Sequence, residues 1–130
     1  MIRAVYSFFL YAVSPAIFLH LWLRGRKASA YKKRWSERLG IYNKKLQPDT
    51  LVIHCASVGE IMAASPLIQQ LMYEYPAQKI TITCNTPTGS EQIVKLFGSS
   101  VQQLYLPLDF HGSVKRFLNK LQPTAIIILE

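Results

Sequence analysis

Acidic residues are scarce in this chain: seven stand against fifteen lysines and arginines, and none falls between Ile2 and Leu23. Cysteine is scarcer still. Cys55 and Cys84 lie near the ends of two predicted strands, where buried, reduced thiols are the ordinary outcome, and neither spacing nor neighbours suggest a metal site. The glycine pattern G-x-G-x-x-G is missing after the first predicted strand and no P-loop lysine is present, so dinucleotide and ATP readings lose their main support and no cofactor is expected. Ser57 has Cys55, not glycine, two residues before it, which excludes a G-x-S-x-G nucleophile elbow. There is no internal repeat and no low-complexity tract.

What the first residues do have is a long apolar run. Residues 1–23 are expected to form an anchor helix, whose strongly polar side chains are Arg3 and His20. As a helix, Ala4 to Leu23 would reach about 30 Å, one hydrocarbon thickness. Pro15, Ser14 and His20 weaken the apolar signal, so a spanning helix and a kinked or interfacial one both fit.

Residues 24–47 form a basic juxtamembrane segment. Between Arg24 and Lys45 nine bases meet one acid, Glu37, giving net +8, the formal charge of the whole chain. Such a block after an apolar helix is the cytoplasmic flank of a membrane anchor, drawn to an anionic membrane surface. Tyr31, Trp35 and Tyr42 fall among the charges, but no nucleic-acid-binding motif organises them, so nucleic acid is not expected as a partner. Ala28-Ser29-Ala30 has the small-residue form of a signal cleavage site; the length of the apolar run and the bases between it and that site favour retention.

From residue 48 to 130 the pattern alternates. Strands are predicted at 50–56, 79–84, 101–106 and 124–129, and helices at 61–75, 90–97 and 112–121. That rhythm implies right-handed crossovers and an α/β domain with a parallel, Rossmann-like sheet. Ile126 to Leu129 reads as a buried strand that would need cover on both faces, so the chain is expected to be the front portion of a longer protein.

The carboxyl ends of such strands are where ligands bind. Glu60 falls there, after the first strand, and two readings fit it: a helix first-turn acid held by the macrodipole, or a general base. Ser57-Val58-Gly59 resembles an N-cap with a permissive glycine, leaving N–H groups free for an anion or a sugar hydroxyl. His54 reads as a strand histidine with a satisfied ring. Thr86, Thr88 and Ser90 read as turn and cap residues around the same edge, which Glu130 also reaches.

Taken together, His54-Cys55-Ala56-Ser57-Val58-Gly59-Glu60, the helix with Pro66-Leu67-Ile68, Thr86-Pro87-Thr88-Gly89-Ser90-Glu91, Tyr105-Leu106-Pro107-Leu108-Asp109 with Val114 to Phe117 after it, and the strand ending in Glu130 resemble the 3-deoxy-D-manno-octulosonic acid (Kdo) transferases. Arg34 to Gly40 and the anchor share the likeness, which runs in order along essentially the whole chain. Cys55 stands where the pattern has a small residue, and Leu108 and His111 where it has tyrosine and proline.

The resemblance implies the N-terminal half of a GT-B glycosyltransferase that takes the lipid A precursor, with CMP-Kdo held by a C-terminal donor domain outside these residues. It implies Glu60 as catalytic base and Glu130 as a second cleft carboxylate, with no metal; Ser57, Gly59, Thr86 and Thr88 are expected toward the acceptor from their place at the same edge, and Arg38 of the basic segment is expected to contact an acceptor phosphate. It implies a place on the cytoplasmic face of the bacterial inner membrane. A membrane-tethered binding module without catalysis is the alternative.

Overall fold

The computed structural model describes residues 2–27 and 33–130, with side chains for 2–23 and 33–130. The possible cleavage site Ala28-Ser29-Ala30, with Tyr31, lies outside the described residues. Helix α1 (Ile2–Lys27) runs unbroken through Pro15. A short 3₁₀ turn (Trp35–Leu39) follows, then β1 (Thr50–Cys55), α2 (Val58–Glu74), β2 (Lys79–Cys84), α3 (Pro87–Phe97), β3 (Gln102–Tyr105), α4 (His111–Leu121) and β4 (Ala125–Leu129).

The four strands make one parallel sheet in the order β3-β2-β1-β4. The chain steps outward from β1 to β3 and then returns to the far side of β1. Side chains alternate across β1, so its two faces feed two cores. Ile53 and Cys55 pack with Ile61, Ile68, Ile82 and Ile93 beneath α2 and α3, while Val52 packs with Tyr42, Leu104, Phe117 and Leu121 beneath α4.

Strand limits fall within a residue of the expected ones, but α2 and α3 each begin three residues early. The cause is capping. Ser57 and Thr86 are the N-caps, and Pro87, outside the helix predicted at 90–97, occupies the first helical position, where its missing N–H costs nothing. Gly59 is correspondingly an ordinary helical residue; positive φ among the glycines is confined to Gly40 and Gly98, so the permissive role expected of Gly59 is not used.

The basic segment is not a free collar. Gly40 adopts φ 70°, and a Cβ there would strike the backbone oxygen of Ser113, so this stretch lies directly against α4. Arg116 donates to the Leu39 carbonyl from the other side. Two outward backbone groups of edge strand β3 are also taken: Arg34 Nη2 and Lys44 Nζ both donate to the Gln103 oxygen at 3.1 Å, and the Tyr105 N–H donates to Glu37 Oε2 at 3.1 Å.

Strand β4 lacks cover on one face, as its apolar run, read as needing cover on both, anticipates. Ile127 and Leu129 pack toward the core, but Ile126 and Ile128 on the other face are 48% and 62% exposed. Edge position is not the cause, since β3 is the other edge of the sheet and is buried, with the segment from Arg34 to Lys44 bonded to it; β4 has Ile126 and Ile128 on a face left uncovered.

Candidate active site

Glu60 is set by a reciprocal capping box at the start of α2. Ser57 Oγ accepts from the Glu60 N–H at 3.3 Å, and the Glu60 carboxylate reaches back over the turn. Its two oxygens differ. Oε2 accepts from the N–H groups of Ala56 (2.5 Å) and Ser57 (3.3 Å), whereas Oε1 accepts only from the Ser57 hydroxyl at 3.0 Å. The Ser57 hydroxyl, opposed by partial desolvation and helped by the two N–H donors, holds this carboxyl below the ordinary range. Glu60 is therefore ionised at neutral pH.

Around it the sheet topology gathers the other candidates. β1 and β4 are neighbours, with Cys55 opposite Leu129, so Glu130 follows the strand adjacent to the one that leads into Glu60. Between these two strands the chain changes winding direction, which in open α/β sheets opens a crevice for ligands. On the other side of β1, Thr86 caps α3 by accepting from the Gly89 N–H at 3.1 Å, and the Thr88 hydroxyl donates to Thr86 Oγ1 at 3.2 Å. A Cβ on Gly59 would meet nothing nearer than Ser57 Oγ at 3.8 Å. Nothing inside the fold requires a glycine there.

His54 and Arg38 occupy more structural settings. His54 Nδ1 lies 3.0 Å from Thr83 Oγ1, a satisfied ring as read from sequence, and burial lowers its pKa below the usual value. Arg38 is 8% exposed; its Nη2 donates to the Asn85 carbonyl at 2.8 Å and its guanidinium lies 4.9 Å from the centre of the Tyr105 ring. It braces the turn that presents Thr86. Both thiols are buried, and burial pushes Cys55 up to about 11 and raises Cys84. Among the described residues no three His, Cys, Asp or Glu side chains gather.

Sequence reading missed the network beneath this edge. Arg34 grips Glu37 through two bonds of 2.7 Å, and its Nη1 donates to Gln103 Oε1 and to Ser90 Oγ. The guanidinium lies 4.7 Å from the Tyr105 ring centre. One signal was available: Glu37 is the lone acid in a strongly basic window. An isolated acid in such a place is a candidate ion-pair partner.

A parallel α/β sheet that changes winding direction beside the strand leading to Glu60 has the architecture of a ligand-binding crevice. Residues 33–130 match the protein-family model described as 3-deoxy-D-manno-octulosonic-acid transferase (kdotransferase). The chain belongs to that family. It is 42% identical over 130 residues to the 3-deoxy-D-manno-octulosonic acid transferase of Haemophilus influenzae, covering 98% of this chain and 30% of the relative. The Bordetella pertussis transferase of the same name is 31% identical, with 98% and 32% covered. A probable mitochondrial 3-deoxy-D-manno-octulosonic acid transferase of Arabidopsis thaliana is 34% identical, with 97% and 28% covered. The chain thus spans about a third of the length of these curated relatives.

Proposed function

We propose that this chain is the acceptor-binding half of a GT-B glycosyltransferase that moves Kdo from CMP-Kdo to the lipid A precursor lipid IVA in lipopolysaccharide core biosynthesis. The observation that carries this is an ionised carboxylate, Glu60, on the helix that follows a central strand, with Glu130 after the neighbouring strand, in a chain of the Kdo transferase family. The strand order 3-2-1-4 supports a Rossmann-like half. In a GT-B enzyme its carboxyl edge faces a second domain, which here would hold CMP-Kdo.

The asymmetry of the Glu60 oxygens suggests how it works. Two N–H donors keep Oε2 fixed and orient the group, while Oε1 exchanges the Ser57 hydroxyl for the acceptor hydroxyl. As that hydroxyl oxygen bonds to the anomeric carbon of Kdo, the bond to CMP breaks, CMP leaves with the electron pair, and the proton passes to Glu60. Glu130 faces the positive charge developing on the sugar. Ser57, Gly59, Thr86 and Thr88 line the acceptor side, and Arg38, being buried, contributes positive field beneath the turn more than direct phosphate contact. The helix-forming run Ile2–Leu23 has the length and composition to hold the enzyme on a membrane, which for this reaction is the cytoplasmic face of the bacterial inner membrane.

The rival reading is a membrane-tethered binding module, favoured by the capping box, which accounts for Glu60 with no chemistry at all. Membranes carrying the intact protein, supplied with CMP-Kdo and tetraacylated lipid A precursor, separate the two. Gln preserves a capping box, so Glu60→Gln should keep its thermal stability while transfer falls by roughly 10²–10⁴-fold. Transfer at the native rate in the variant rules out the base. No transfer by the native protein rules out the enzyme.

A further inference from the structure

All four strands run the same way, so their amino ends share the edge of the sheet opposite Glu60. A cavity of about 410 Å³ opens at that edge. It is lined by Lys44, Lys45 and Gln47, which precede β1, by Lys79 at the first position of β2, and by Ser100 and Gln102 at the entry to β3. Three of its lining residues are thus lysines, while none is an aspartate or glutamate and none is aromatic.

The lining is tied into the fold. The Gln47 N–H donates to Gln102 Oε1 at 2.9 Å, and Gln102 Nε2 donates to Thr81 Oγ1 at 2.9 Å, which joins the segment before β1 to both strands. Lys44 Nζ donates to the Gln103 carbonyl at 3.1 Å. Its charge is poorly compensated there: partial burial, with Arg34 nearby, holds its pKa below the ordinary lysine value, and the acid within reach, Glu37, is already paired with Arg34 at 2.7 Å. Among the described residues, the ammonium groups of Lys45 and Lys79 make no hydrogen bond or ion pair. Three cations around one space with no acid among them repel one another, and a bound anion removes that cost.

We propose that this cavity is a binding site for a small phosphate-bearing anion, separate from the candidate active site at the other edge of the sheet. Lysine suits such a ligand, because each ammonium offers three rotatable donors to phosphate oxygens. Ser99 and Ser100 add neutral hydroxyls to the lining. With no ring present to stack a base, the cavity selects for phosphate and not for a nucleobase. Occupancy also has a structural consequence: Lys44 ends the segment that carries Arg34 and Arg38, so an anion on Lys44 holds that segment to the domain and stabilises the fold.

Pyrophosphate tests the site in the intact, detergent-solubilised protein, by isothermal titration at constant ionic strength. The native protein should bind it, and Lys45→Gln/Lys79→Gln should bind it about 10-fold more weakly or worse, since two charge-assisted contacts are lost. Lys95→Gln/Lys120→Gln removes the same charge outside the cavity and should leave affinity within about 2-fold. Equal weakening by the two pairs shows a diffuse effect of net charge, and unchanged binding in the cavity variant puts the anion elsewhere; either result overturns the site. Lysines at this edge also offset the carboxyl ends of α2 and α3. If that is their whole role, the cavity variant loses thermal stability while pyrophosphate raises the Tm of neither protein, and the proposal fails. Dihexanoyl phosphatidic acid separates the sources of the phosphate: binding tighter than that of pyrophosphate, and weakened by the same variant, identifies a lipid head group, whereas weaker binding identifies a soluble phosphorylated metabolite. Binding of neither compound by the native protein rules the site out.

Discussion

Glu60 shows how one side chain can satisfy a structural rule and still be chemically available. Its capping box occupies Oε2 twice and Oε1 once, so the cap survives the exchange of one bond. Gly59 beside it gives the sharper probe. Replacing a helical, unobstructed glycine by alanine should raise stability by about 0.5–1 kcal/mol, read as an increased urea midpoint, because the unfolded chain loses freedom. If the acceptor approaches this turn, the same Gly59→Ala variant should lose transfer activity, measured as a rise in acceptor KM. A gain in stability with unchanged KM would remove Gly59 from the site. His54 makes a pH prediction. Its folded pKa lies below the ordinary 6.5 because of burial, so the unfolded chain takes up the proton first. Stability should be flat above neutrality and fall as pH drops through 6.5, and His54→Gln should flatten that slope between pH 7.5 and 5.5 in urea titrations.

At the scale of elements, the basic segment after α1 changes its meaning most between sequence and structure. Net charge alone makes it a solvated, lipid-facing block; hydrogen bonds make part of it a strap across β3. Arg34 has φ 61° and enters the 3₁₀ turn directly, and Glu37 is 5% exposed. Removing Arg34 would strand a buried carboxylate. Arg34→Met should therefore cost about 3 kcal/mol, seen as a lowered denaturation midpoint, and adding Glu37→Gln should recover part of it. The helix starts were misplaced for a related reason. Capping depends on which hydroxyl meets which N–H, as at Ser57 and Thr86, and a pattern of apolar spacing carries no such information. Strands were legible because Thr50–Cys55 and Lys79–Cys84 are short runs of β-formers flanked by turns.

For the molecule as a whole, the alternation of strands and helices was enough to anticipate a parallel sheet, and hence that Glu60, Thr86 and Glu130 share one edge. Tertiary pairings such as Arg34 with Gln103, or Tyr6 with Asp109, join residues 69 and 103 positions apart. No local pattern encodes them. The docked α1 is likewise invisible to hydropathy, which reads all faces of a helix together. The double-sided core makes a further prediction: with Cys55 and Cys84 buried and their thiols held protonated, iodoacetamide should leave both unmodified in the native protein and alkylate them only above the unfolding midpoint. Rapid native alkylation, followed by mass spectrometry, would show that the core opens locally. The two margins of the sheet also differ in kind. At β3 the strap from Arg34 to Lys44 already occupies the outward carbonyl of Gln103 and N–H of Tyr105, so another strand pairing there would have to displace it. Growth of this sheet, whatever supplies the strand, is directed to the β4 side, next to Glu130.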